Sequence, residues 1–391
     1  MSRSGWIEDR HGRTGRRWRA RYRGPDGRIR SRSFHRKVDA DRWLDAQLVR
    51  IDRGDWLDPA AGNVSLGEWS GKWLMTLSLK PKTRAEYESL LRSRILPAFG
   101  AMPINRITPA AIREWTASMS AEGLSASRVR AAKGRLAQCL QMAVHDGLLL
   151  RNPAEGIKTP PVRSRPQRFL DGVDVTRLAT AAEERLSGAG LVVETLAYVG
   201  LRWGELVALR RSRVDVLRRR IEVAEAATEI GGGLSWGPPK SHEPRMVMMP
   251  SMLLDKLAAH LGSVASDGLV FTAQRGGPLR SSAWRRTVWT PALNQAGIDD
   301  LRIHDLRHTA ASLMISSGAS IKAVQRQLGH ASATMTLDLY GHLYDDDLDA
   351  LADALDRKLA ESPAPPVRPD RAPKGAGHVV PMRSARPETL T

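Results

Sequence analysis

Across 391 residues, 60 Lys and Arg stand against 42 Asp and Glu, giving a formal net charge of +18. Such an excess suits a polyanionic partner, nucleic acid first among them, and the length predicts two or three domains. The lone cysteine, Cys139, excludes an internal disulfide framework and a cysteine-cluster metal site.

The charge is concentrated at the start. Within residues 1–37, twelve arginines and Lys37 stand against Glu8, Asp9 and Asp26, a net +10. No apolar h-region follows the first five residues, so no secretory signal is visible. Arg17-Trp18-Arg19-Ala20-Arg21-Tyr22-Arg23 alternates strictly, which predicts a strand. Trp18, Ala20 and Tyr22 take one face; Arg17, Arg19, Arg21 and Arg23 take the other. Gly24-Pro25-Asp26-Gly27 is a turn signal, and Ile29 to Phe34 completes a hairpin. Val38 to Leu48 reads as a helix, with Trp43, Leu44 and Leu48 at helical spacing. Residues 1–60 thus form a small basic sheet-plus-helix domain. Its arginine face, with no balancing acids on the strand, suits phosphate contacts in a DNA groove.

Residues 64–157 read as an all-helical domain. Leu66, Trp69, Trp73, Leu74 and Leu77 follow the 3.6 period. Thr83 is expected to cap a helix carrying Tyr87, Leu90, Leu91 and Ile95. Thr108-Pro109 is an N-cap followed by proline at the first helical position. Ser125 to Val144 forms a fourth helix with a basic face of Arg128, Arg130, Lys133 and Arg135. Cys139 shares a face of this helix with Leu136, Leu140 and Ala143, a core position. Residues 158–168 are proline-rich and basic, a linker expected to lie along DNA.

The third domain, 169–359, reads as mostly helical, with strands at 214–224 and around 240–250. Its longest apolar stretch, 190–201, is broken by Glu194 and too short to span a bilayer. A cytoplasmic protein without a membrane partner is therefore expected. The tail, 360–391, is rich in Pro, Arg and Ala and expected to be disordered. The fold class is multidomain and mainly α.

No GxxxxGK[ST] loop, HExxH or Cys/His signature occurs, so no nucleotide, metal or other cofactor is expected. What the third domain offers as chemistry is a scattered set of cations and a tyrosine, Tyr340. Arg202 follows an apolar run, and Glu205 three residues on can hold its guanidinium. His304 and Arg307 share a face at a helix start, a natural anion site. Leu328-Gly329-His330 is followed ten residues later by Tyr340.

In order, spacing and wording, Arg202, His304-x-x-Arg307 and Leu328-Gly329-His330 with Tyr340 resemble the tyrosine recombinases, the phage integrase family. The resemblance covers the third domain throughout. More loosely, the helical domain resembles the family's core-site-binding domain, and the basic N-terminal domain its arm-site-binding domain. The family also carries a lysine in a β-hairpin between the arginine motifs, and Lys240 matches that position. The resemblance implies a site-specific recombinase that needs neither ATP nor metal. Tyr340 would form a 3′-phosphotyrosyl link, with Lys240 as general acid and Arg202 and Arg307 gripping the phosphate oxygens. His304 and His330 would add hydrogen bonds, His304 helping to move the tyrosine's proton. Tyr344, beside Asp345 to Asp347, is the rival nucleophile. Further implied are core and arm attachment sites on double-stranded DNA, with Arg128 and Lys133 joining the strand arginines as contacts. A homotetramer on DNA, a DNA-bending host factor, a directionality factor and a nucleoid location in a bacterial cell complete the expectation. A chromosome-dimer or cassette recombinase, a type IB topoisomerase and an inactive DNA-binding protein of this fold are the competing readings. Leu348, Leu351 and Leu355 mark a C-terminal helix that docks either within the chain or on a neighbouring subunit.

Overall fold

The computed structural model describes residues 5–12, 15–58, 60–162, 167–239, 243–343 and 347–360. Its N-terminal unit is a three-stranded antiparallel sheet, β1 (Gly5–Gly12), β2 (Gly15–Arg23) and β3 (Ile29–Phe34), with β2 in the middle, followed by α1 (Lys37–Asp52). Ala20 and Tyr22 are fully buried on the face that α1 covers with Ala40 and Leu44. Trp43 meets Tyr22 edge-on at 5.6 Å, and Trp56 Nε1 donates to Tyr22 Oη at 3.1 Å, folding the following segment back onto the unit.

Strand β1 was not anticipated. It changes the charge balance of the arginine face: Glu8 accepts from Arg21 at 2.7 Å. The expectation of a face without balancing acids is therefore corrected, because an acid from a neighbouring strand reaches it.

Four longer helices build the second unit: α2 (Leu66–Thr76), α3 (Pro81–Leu90), continued through the short α4 (Leu96–Phe99), then α5 (Pro109–Ala121) and α6 (Ala126–His145). Leu66, Ile95, Ile104, Ile112, Leu136 and Leu140 form its core, and Trp69 Nε1 donates to Cys139 O at 3.0 Å. Cys139 lies in this core, where burial pushes its thiol up to about 12. Thr83 is not a cap: Lys80 precedes the helix and Pro81 opens it, since proline's missing N–H costs nothing there. Thr108 does cap α5, accepting from Ala111 N at 3.2 Å. Between α3 and α4 the chain widens into a π turn, Leu91–Ile95, just before Pro97, which cannot donate to the preceding turn.

The third unit contains α7 (Gly172–Glu183), α8 (Ala189–Val199), α9 (Trp203–Val207), strands β4 (Val214–Asp215), β5 (Arg220–Val223), β6 (Ala226–Ile230), β7 (Gly233–Gly237) and β8 (Arg245–Met248), then α10 (Leu254–Gly262), α11 (Ser281–Trp284), α12 (Thr290–Ala296), α13 (Asp305–Ser316), α14 (Ile321–Leu328), α15 (Ala333–Tyr340) and α16 (Asp347–Ala360). The sheet order is β4-β5-β8, and β6–β7 is a separate hairpin not foreseen from the sequence. Helix α8 is almost wholly buried and packs on α7 and α13. Among the described residues, no helix is long and apolar enough to cross a membrane. The disorder expected for the tail falls on 361–391, which lie outside the described residues, as do 163–166 of the linker.

Candidate active site

Helix α8 ends at Gly200, whose φ of 76° lies in the left-handed region. A Cβ there would stand 2.8 Å from Leu328 Cδ2 and 3.1 Å from Ala310 Cβ, so only glycine fits. The chain then turns to place Arg202 at the start of α9. Glu205, whose side chain is 1% exposed, reaches back to it: Oε2 accepts from Arg202 N at 2.9 Å and Oε1 from Arg202 Nη1 at 2.8 Å.

A second guanidinium grips the same carboxylate. Arg245, on β8, donates through Nη1 to Oε1 at 2.9 Å and through Nη2 to Oε2 at 2.7 Å. Burial alone would raise the Glu205 carboxyl. The bonds and charge of Arg245, then those of Arg202, outweigh it and hold Glu205 at about 2.

Arg307 is the third guanidinium, buried on the first turn of α13. It donates to Gly200 O at 2.6 Å and to Leu328 O. It thereby ties the turn after α8 to the end of α14. Burial and the neighbouring Arg202 charge lower Arg307 to about 9. Arg202 Nη2 reaches Gly329 O at 3.3 Å, next to that tie. Gly329 adopts φ +65°, and a Cβ there would meet Arg245 Cδ at 2.7 Å. Gln327 braces the same turn, donating to Val199 O and Met248 O, both at 3.0 Å. Three guanidiniums around one carboxylate leave net positive charge, a site made for an anion.

His304, immediately before α13, faces a cleft of about 970 Å³ that Arg202, Trp203, Lys80 and Lys82 also line. Partial burial, then the charges of His308, Arg307 and Arg202, lower it to about 4. His330 Nδ1 lies 3.0 Å from Thr336 Oγ1, and its ring stacks on Tyr340 with centroids 6.4 Å apart. It too is lowered to about 4, chiefly by burial and then by Arg307.

Tyr340 closes α15 and is 1% exposed, packed with Ala311, Ile315, Val324 and Leu328. Its Oη lies 2.7 Å from His308 Nδ1. Burial pushes the phenol up to about 12, with Arg307 pulling weakly the other way. Hairpin β6–β7 and Pro238 reach the cleft wall. Lys240 follows two residues later but lies outside the described residues, as does Tyr344.

Of the expected site residues, Arg202, Glu205, His304, Arg307, His330 and Tyr340 thus converge from separate segments. Sequence reasoning missed Arg245 and His308. His308 stands four residues beyond His304, one helical turn, and that spacing was its available signal. Arg245 sits forty residues from Glu205, with no local pattern pointing to the pair.

The expected DNA contacts lie elsewhere. Arg17 and Arg19 are half-buried on β2, Arg21 pairs with Glu8, and Arg23 donates to Gly27 O at 2.9 Å. On α6, Arg128 is exposed and Lys133 half-buried. Arg135 of the same face is taken up internally, its guanidinium 4.2 Å over the Tyr87 ring.

Known proteins share this plan. Residues 168–347 match the phage integrase family, 65–120 the phage integrase N-terminal SAM-like domain, and 11–53 the phage integrase N-terminal domain. A putative prophage phiRv2 integrase of Mycobacterium tuberculosis is 33% identical over 335 residues, covering 82% of this chain and 88% of that protein. Among solved structures, a Tn1549 transposon integrase in complex with circular intermediate DNA superposes with a TM-score of 0.65 at 19% identity, over 75% of this chain and 99% of its own. A lambda integrase tetramer bound to a Holliday junction gives 0.54 at 20% identity, over 86% and 94%. With a relative this similar over most of both chains, the protein belongs to the phage integrase family and is a site-specific tyrosine recombinase.

Proposed function

We propose that this recombinase holds double-stranded DNA against the cleft lined by Lys80, Lys82, Arg202 and His304, and that Tyr340 attacks the scissile phosphate. The phosphorus–oxygen bond to the phenol forms as the bond to the 5′-oxygen breaks, leaving a 3′-phosphotyrosyl link. Lys240 protonates the departing 5′-oxygen. Arg202 and Arg307 stabilise the charge that grows on the non-bridging oxygens, with hydrogen bonds from His304 and His330. Glu205 positions Arg202. A 5′-hydroxyl from the partner strand then reverses the attack. The bond energy is kept throughout, so the cycle needs no nucleotide.

The observation that carries this reading is the convergence of Arg202, Arg307, His330 and Tyr340 around the turn at Leu328–Gly329. The DNA-bound relatives in the same fold support DNA as the partner, and the lambda tetramer supports a homotetramer acting on core sites. The arginine face of β2 would bind arm-type sites, with Arg128 and Lys133 contributing to core binding. Excising or integrating a mobile element in a bacterial nucleoid, with a DNA-bending protein and a directionality factor, is the setting that fits.

The test is a nicked suicide DNA carrying the native attachment core, incubated with wild type, Tyr340→Phe and Tyr344→Phe and run on a denaturing gel. A protein–DNA adduct lost in Tyr340→Phe and kept in Tyr344→Phe is expected. No adduct from a wild type that still binds the core would overturn the reading in favour of a DNA-binding protein without chemistry.

A further inference from the structure

A phenol attacks phosphorus as its proton leaves, and the acceptor must lie within hydrogen-bond reach. Two histidines stand one turn apart at the start of α13, their rings 5.2 Å apart and perpendicular. They face different ways. His304 lines the cleft where the phosphate would sit. His308 is buried, with Nδ1 2.7 Å from Tyr340 Oη. Among the described residues, the hydrogen bond of the phenol is made to His308 and not to His304.

We propose that His308 is the general base of the cleavage step, taking the Tyr340 proton on Nδ1 as the phenol oxygen bonds to phosphorus. This rests on Tyr340 being the nucleophile. It also moves the proton-transfer role from His304, where the sequence placed it, leaving His304 to the phosphate side. The step balances. The O–H proton passes to His308, the phenol oxygen gains the bond to phosphorus, and the 5′-oxygen leaves with a proton from Lys240. On religation His308 returns its proton to Tyr340.

The surroundings agree. Burial, then Arg302 and Arg307 against the opposing Asp305, keep His308 below its ordinary value, so it is neutral and ready to accept near pH 7. The other titratable groups around it are His304, immediately before its own helix, and Tyr340 on α15, whose ring stacks in turn on His330. Tyr340, held near 12, cannot supply phenolate unaided.

The test measures single-turnover adduct formation on the suicide core DNA by wild type, Tyr340→Phe, His308→Phe and His308→Asn. A second substrate carries a 5′-bridging phosphorothiolate, whose sulfur leaves without a proton. His308→Phe is expected to slow adduct formation about a hundredfold on both substrates. The wild-type rate should be level with pH above the histidine's titration, whereas the variant should rise about tenfold per pH unit as hydroxide replaces the base. His308→Asn, which keeps an oxygen near the Nδ1 position and cannot hold a proton, should show the same pH slope. It also decides the matter if His308→Phe fails to bind core DNA. Rates within about threefold of wild type in a DNA-binding variant would overturn the proposal. So would a defect that vanishes on the phosphorothiolate, which would put His308 on the leaving-group side. An adduct that survives in Tyr340→Phe would instead remove the nucleophile reading itself, and is seen in its own lane.

Discussion

Replacing Glu205 by glutamine removes one negative charge from between two guanidiniums while nearly preserving shape. The carboxylate accepts four hydrogen bonds, two from Arg202 and two from Arg245, and both Glu205 and Arg245 are largely shut off from water. Glutamine can accept on one oxygen only, and its amide N–H groups would point at cationic donors. Holding the carboxyl at about 2 rather than 4.5 corresponds to about 3 kcal/mol, at about 1.4 kcal/mol per unit. Leaving a buried arginine without its partner gives a similar figure, about 3–5 kcal/mol. Denaturant unfolding of Glu205→Gln near neutral pH should therefore show a loss of about 3 kcal/mol. Because the folded pKa is depressed, the wild-type contribution is fully present above 4.5 and disappears as the pH falls towards about 2. The two proteins should converge in stability over that window. Adding Arg245→Met to the variant should cost less than the sum of the two single changes, since the pair is already broken. A Glu205→Gln protein within about 1 kcal/mol of wild type, with the same acid dependence, would refute this account of the charge cluster.

Two other expectations follow from geometry. Gly200→Ala must place a Cβ against Leu328 in a left-handed turn, at a cost of about 1–3 kcal/mol for the backbone alone; a thermal melt unchanged from wild type would contradict the turn as described. Arg17→Gln and Arg19→Gln should each lower the slope of log affinity against log salt by about one on arm-type DNA, leaving core DNA unaffected; titrations at several salt concentrations read this directly.

The members of the candidate site were more legible than its scaffolding. Arg202, His304, Arg307, His330 and Tyr340 sit in short motifs whose wording survives in a single sequence. Strand β2 declared itself by strict alternation. Strand β1 did not: Trp6 and Ile7 are adjacent and four polar residues follow, so no period of two emerges until Glu8 is seen across from Arg19. Hairpin β6–β7 is half-buried along most of its length, and a strand with no clear inside face leaves no pattern to read. The Glu205–Arg245 pair was invisible for a different reason. Its partners lie forty residues apart on α9 and β8; Glu205 has a local partner in Arg202, but only the packing of those elements gives Arg245 a reason to be charged. Helix α3 began earlier than Thr83 suggested, because Pro81 is a stronger opening signal than a threonine two residues inside it.

Arg307 is held by the carbonyls of Gly200 and Leu328, which belong to segments more than a hundred residues apart. The guanidinium therefore serves assembly as well as its proposed part in the reaction, and lysine, with a single nitrogen in place of a planar fork, does not reproduce the paired geometry. A descendant gene released from selection for strand exchange, yet still required to fold and to occupy DNA, would be free to lose the Tyr340 hydroxyl. It would not be free to lose Arg307. In such a lineage the proposed nucleophile is dispensable before this arginine, which ties the domain's own segments together.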